Sequence, residues 1–152
     1  MTWMLLPFRR LYALIEGRSC RREYWMFILL NILILSGFLV IVGATLGASF
    51  FSPSAIQGAL AGAGIALIIV LYIPLVLWSM LVFPALIGVT VRRFHDLNLS
   101  GWIYFGMLVA SAIPFVNFIV WIILTVMMCL PGTQGANRYG ADPLNPDTDA
   151  LT

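Results

Sequence analysis

Two long runs without a formal charge, Tyr24 to Val91 and Leu97 to Asn137, alternate with three short polar islands. The first island carries Arg9, Arg10, Glu16, Arg18, Arg21, Arg22 and Glu23. The second carries Arg92, Arg93, His95 and Asp96, and the third Arg138, Asp142, Asp147 and Asp149. An α-helix rises about 1.5 Å per residue, so some twenty apolar residues cross the ~30 Å hydrocarbon core of a bilayer. The first run therefore predicts a span over 24–44, with Tyr24 and Trp25 as interfacial aromatics at its mouth. Residues 47–62, with Ser49, Ser52, Pro53, Ser54 and Gln57, read as an uncharged outer loop. The GxxxG spacings Gly43–Gly47 and Gly58–Gly62 beside it are candidate close-approach points for helices. A second span lies within 64–91, where Pro74 and Pro84 supply kink points. Its helix is expected to run on and present Arg92, Arg93, His95 and Asp96 beyond the membrane.

The run from Trp102 to Leu130 admits two readings, one long span or two short helices broken near Pro114 and Asn117. The arginines of the first two islands put the N-terminus and the Arg92–Asp96 loop on the cytoplasmic side. A hairpin, 102–113 and 116–130, returns the tail to that side and is the favoured reading. At the N-terminus, Trp3, Leu6, Leu11, Leu14 and Ile15 share one helical face, as in a helix lying in the membrane interface. The apolar start is too short, and its arginines are wrongly placed, for a cleavable signal peptide. The expected architecture is all-α and integral to the membrane. It has an interfacial N-terminal helix, two full transmembrane helices and a proline-broken third hydrophobic region, about four membrane helices in all. Residues 1–143 form a single membrane domain, and 144–152 form a disordered tail.

Composition sharpens this picture. Only 9% of the 152 residues are charged, and the mean hydropathy is +1.03. A soluble domain needs charge on nearly every exposed face, so lipid is the main solvent. All eight basic residues are arginine, and seven flank the apolar runs. That placement marks topology and a contact surface for acidic headgroups, not a nucleic-acid interface. The length leaves no room for a separate soluble catalytic domain. Cys20 and Cys129 stand alone, and one histidine without a cysteine cluster makes no metal site.

Each island offers chemistry to weigh. In the first, Arg18 and Arg22 at i, i+4 would share a helix face and could clamp a phosphate or a carboxylate. The bland alternative is topogenic charge. In the second, His95 and Asp96 suggest acid–base work, but adjacent helical residues point in different directions. Ser100 lacks a nucleophile elbow and reads better as the N-cap of the next helix, with Asn98 and Gly101 aiding the turn. In the third, Pro131, Gly132, Gly135, Asn137 and Gly140 predict an ordered turn that aims Arg138 and Asp142.

The three islands, in this order between apolar segments, resemble the YhaH-like family of small bacterial inner-membrane proteins, catalogued as domain of unknown function 805. The likeness is carried by G-R-x-x-R-x-E-Y-W at Gly17, Arg18, Arg21, Glu23, Tyr24 and Trp25. It continues in R-x-x-H-D at Arg92, His95 and Asp96, S-G-W at Ser100, Gly101 and Trp102, and P-G-x-x-G-x-N-R-[FY]-G-x-D-P from Pro131 to Pro143. Ile15 and Ile103 depart from aromatic positions common in the family. The resemblance implies a multi-pass helical protein of the bacterial plasma membrane with no agreed biochemical activity.

The islands are expected to converge at the cytoplasmic face. The candidate headgroup or partner contacts are Arg18, Arg21, Arg22, Glu23, Arg92, Arg93, His95, Asp96, Asn137, Arg138 and Asp142. No catalytic, cofactor or metal residue is assigned. The favoured function is a non-enzymatic adaptor or envelope protein that binds anionic phospholipid headgroups or a protein partner, which could be a second copy of itself. The alternative is a small transporter or channel subunit lined by Asn31, the proline kinks and the broken third region.

Overall fold

The computed structural model describes residues 2–9, 15–50, 54 and 64–144. The helices are α1 (Thr2–Arg9), α2 (Arg21–Phe50), α3 (Gly64–Asp96), α4 (Trp102–Ala110) and α5 (Pro114–Cys129). Among the described residues there are no strands, only an isolated antiparallel bridge between Asn137 and Gly140. Helices α2 and α3 are each long and apolar enough to cross a membrane. The chain divides into two compact units, one of residues 1–28 and 84–152, the other of 29–83.

The second unit consists of the later part of α2 and the earlier part of α3. None of its described side chains is buried. Leu33, Val40, Val70, Leu77 and Met80 are all exposed. Apolar surface this continuous is stable only against an apolar solvent. Polar side chains within it turn back on their own helix: Ser36 donates to the Leu33 carbonyl at 3.0 Å and Ser79 to that of Val76 at 2.8 Å. A cavity of about 210 Å³ lies among Ile34, Leu35, Phe38, Pro74, Leu75 and Trp78. Helix α3 passes through Pro74 and Pro84 without interruption. At Gly43 and Gly47 an added Cβ would meet nothing within 4 Å among the described residues. The second GxxxG spacing, most of the predicted outer loop, Leu11 and Leu14 of the N-terminal face, and the tail beyond Leu144 lie outside the described residues.

The first unit holds a core of Phe27, Ala85, Val89, Val91, Phe94 and Met128. Phe8 of α1 meets Phe27 edge-on with centroids 5.2 Å apart. Each large side chain buried here contributes roughly 1.5–3 kcal/mol. The third apolar region is a hairpin, as expected, but the turn falls earlier than predicted. Helix α4 stops at Ala110, and Pro114 opens α5. Proline is preorganised for the first helical position, where its missing N–H costs nothing. It therefore starts the second helix, and Asn117 lies inside α5. Asn117 N donates to the Ile113 carbonyl at 2.8 Å.

At the start of α4 the N-cap is Gly101, with no side-chain cap. Ser100 was the expected cap, yet its Oγ only accepts from Trp102 N at 3.4 Å. Gly101 is there because α3 is close: a Cβ on it would lie 2.6 Å from Val91 Cγ1. Gly101→Ala is therefore expected to destabilise the protein by about 1–3 kcal/mol, the usual cost of overpacking. Thermal unfolding in detergent measures this. An unchanged midpoint would mean that Val91 yields freely.

Candidate functional site

The last turn of α3 organises the polar residues of the first unit. The helix ends in a left-handed residue, Asn98, at φ 60°. Asn98 N donates back to the His95 carbonyl at 2.9 Å, and Leu99 N donates to that of Phe94 at 2.9 Å. This paired closure is the Schellman motif, for which asparagine is a tolerated left-handed residue. Terminal carbonyls of a helix need outside donors, and the other two islands provide them. Ser19 N donates to the Arg92 carbonyl at 3.2 Å, and Thr133 N to the Asp96 carbonyl at 2.8 Å. Asn137 Nδ2 donates to the His95 carbonyl at 2.9 Å.

The Asp96 carboxylate sits at the centre. Arg18 donates to its Oδ1 from Nε at 3.0 Å and from Nη2 at 2.9 Å. Arg93 donates to Oδ2 from Nη1. The same Arg18 guanidinium reaches the tail, donating from Nη1 to the Gly135 carbonyl at 2.6 Å and from Nη2 to the Thr133 carbonyl. Arg93 also donates from Nη2 to the Leu130 carbonyl, at the end of α5. Arg21 donates to the neighbouring Cys129 carbonyl at 3.2 Å. Helix α5 has no basic residue in its own last turn, and these two arginines complement its negative end. Gly132 lies directly against the Asp96 carboxylate; a Cβ there would fall 2.6 Å from Cγ and nearer still to Oδ2.

Arg92 and Glu23 form a second buried ion pair, 3.6 Å apart. Asp142 closes the tail: its Oδ2 accepts from Gly135 N at 3.3 Å and its Oδ1 from Leu144 N at 2.9 Å. Gly135 and Gly140 have φ of 73° and 131°, which L side chains rarely adopt. The turn they frame is held by reciprocal Asn137–Gly140 backbone bonds of 3.0 Å. His95 turns away from Asp96. Its Nδ1 lies 3.2 Å from the Gly17 carbonyl, and its ring stacks on Tyr139 with centroids 3.8 Å apart. Among the described residues no three His, Cys, Asp or Glu side chains gather as a metal would require.

The candidate residues thus separate into two groups. Arg18, Glu23, Arg92, Arg93, His95, Asp96 and Asp142 are buried. Arg21, Arg22 and Arg138 are exposed and Asn137 is half-buried. The expected Arg18–Arg22 pair on one helix face does not form, because α2 begins at Arg21 and Arg18 precedes it. Arg18 is buried against Asp96 while Arg22 faces outward. Gly17, Ser19, Gly132 and Thr133 were missed as positioning residues. Their only signal was their place within the islands, since Gly17, Ser19 and Gly132 act through the backbone or through having no side chain, and Thr133 through both its N–H and its Oγ1.

Residues 12–141 match the family model described as "Protein of unknown function (DUF805)". The Escherichia coli K12 inner membrane protein YhaI is 34% identical over 146 residues, covering 94% of this chain and 96% of its own length. The inner membrane protein YhaH of the same strain is 33% identical over 143 residues, covering 94% and 97%. No solved structure matches.

Gly132→Ala puts a methyl group where the Asp96 carboxylate lies. It should release the 131–143 segment and lower stability by a few kcal/mol, since an ill-paired buried carboxylate is expensive. Limited proteolysis would show new cleavage after Leu130. A tail as resistant as that of the wild type would contradict the geometry.

Proposed function

The chain belongs to the DUF805 family, and on that premise we propose that it is a multi-pass protein of the bacterial inner membrane whose cytoplasmic face binds anionic phospholipid headgroups through exposed arginines. The observation that carries this reading is the division among the arginines. Arg18, Arg92 and Arg93 are buried, and so are Glu23, Asp96 and Asp142, three cations against three acids, with Arg18 and Arg93 on Asp96 and Arg92 on Glu23. Their charge is committed to the fold. Among the described residues Arg9, Arg21, Arg22 and Arg138 are exposed, against one exposed acid, Glu16. Arg21 and Arg22 open α2 directly below the interfacial pair Tyr24 and Trp25, at the depth where lipid phosphates lie.

The same contacts support an orientation. The first island precedes α2, the second ends α3, and the tail is bonded to both. With α2 and α3 each crossing once, all three islands share a side, and their arginines make that side the cytoplasm. Both termini are then cytoplasmic. The protein works as an adaptor or envelope component.

Native mass spectrometry after extraction from mixed phosphatidylglycerol and phosphatidylcholine bilayers tests the reading. The wild type should retain phosphatidylglycerol preferentially. The Arg21→Gln, Arg22→Gln variant should lose that preference about tenfold or more, at ~1 kcal/mol per interfacial arginine. An unchanged preference in the variant would refute the reading. A stoichiometric bound protein in place of lipid would move the function to partner binding.

A further inference from the structure

A second cavity, of about 340 Å³, lies in the first unit among Ile15, Val91, His95, Trp102, Phe105 and Tyr139. We propose that it is a headgroup site for a zwitterionic phospholipid bearing free ammonium N–H donors, of the phosphatidylethanolamine type. The site draws on the membrane reading above only for the presence of lipid. It owes nothing to Arg21 or Arg22.

The argument starts from the histidine. His95 is 7% exposed, and its Nδ1 is directed at the Gly17 carbonyl. A carbonyl can only accept, so the proton is on Nδ1, and in the neutral ring Nε2 carries a lone pair. His95 lies beyond the apolar run that ends at Val91. Nε2 lies on the Gly101 side of the ring, 3.4 Å from where a Gly101 Cβ would be, and Gly101 also lines the cavity. No hydrogen bond reaches Nε2 from the described residues. An acceptor on a cavity wall that no described residue satisfies suits a donor on whatever fills the cavity.

The surroundings of the cavity describe the rest of the ligand. Arg138 stands beside the cavity and not in its lining: it is exposed, and its guanidinium carbon is 4.8 Å from the centroid of the Tyr139 ring on which His95 stacks. One of its nitrogens donates to the Asn98 carbonyl at 3.0 Å. A guanidinium has five N–H groups, so others remain for a phosphate. Trp102 is 80% exposed at the start of α4, the place of an interfacial aromatic, and with Phe105, Ile15 and Val91 it offers an apolar wall. The volume falls in the ~300–1,000 Å³ range of small-ligand sites. Donor, phosphate and apolar chain, in that order, describe an ethanolamine phospholipid.

Choline provides the control, because N-methylation removes every N–H and leaves net charge unchanged. Lipid titration by native mass spectrometry should show wild-type protein binding phosphatidylethanolamine about tenfold more tightly than phosphatidylcholine, the worth of one charge-assisted hydrogen bond. His95→Asn keeps an amide N–H for the Gly17 carbonyl, lacks the Nε2 acceptor, and should abolish the preference. Should that variant fail to fold, ¹⁵N resonance of His95 Nε2 in wild-type nanodiscs decides. The signal should move toward a hydrogen-bonded acceptor when phosphatidylethanolamine replaces phosphatidylcholine. Equal binding of the two lipids, a preference that survives in His95→Asn, or an unmoved Nε2 resonance would each overturn the proposal. Binding that follows net charge alone, with phosphatidylglycerol above the two zwitterions alike, would overturn it while leaving the Arg21–Arg22 reading intact.

Discussion

A carboxylate taken out of water is tolerable only when its charge is matched and its lone pairs are occupied. Asp96, 3% exposed, meets that demand by drawing together segments far apart in the chain. Arg18 comes from before α2, Arg93 from one turn earlier in α3, and Gly132 from the tail. The backbone carbonyl of the same residue binds Thr133 twice, through N and Oγ1. Much of the cap is second-hand from this joint. The tail is ordered because Arg18 spans both Asp96 and the carbonyls of Thr133 and Gly135. The end of α5 is held because Arg93 spans both Asp96 and Leu130.

The joint also explains where charge remains for function. A membrane protein this poor in charge spends half of its described buried ionic groups as cations and half as acids, so the cap is close to neutral inside. What faces outward among the described residues is mostly cationic: Arg9, Arg21, Arg22 and Arg138 against Glu16. The arginine fork suits both tasks, bidentate on a carboxylate inside and on a phosphate outside. His95, one residue from Asp96 and facing another way, separates the two proposed lipid contacts by chemistry. One responds to net charge, the other to a hydrogen-bond donor.

The sequence made the spans legible, because charge is excluded from hydrocarbon and its absence from Tyr24 to Val91 is unambiguous. The hairpin was legible from Pro114, though proline was read as the turn when its geometry suits the first residue of a helix. The site was legible as a set of residues and not as a set of contacts. Arg18 and Arg22 looked like partners because helical spacing was assumed to begin before Arg21. Glycines at 17, 132 and 101 matter through backbone direction or through the space left by a missing Cβ, which depends on what the distant chain brings alongside. Burial likewise escaped the sequence. Arg92 and Arg93 are adjacent arginines of identical type to Arg21 and Arg22, yet the first pair is fully buried and the second exposed.

Hydrogen exchange in detergent, read at the amides of residues 133–140 in wild-type and Asp96→Asn protein, tests the central role of this carboxylate most directly. Asparagine preserves the shape and the backbone carbonyl that Thr133 N binds, and removes only the charge that holds Arg18 and Arg93. The account predicts slow exchange at Thr133, Asn137 and Gly140 in the wild type and loss of protection at all three in the variant. Undiminished protection in Asp96→Asn would show that the tail docks by its backbone bonds alone, and would contradict the claim that the Asp96 charge holds the cap together.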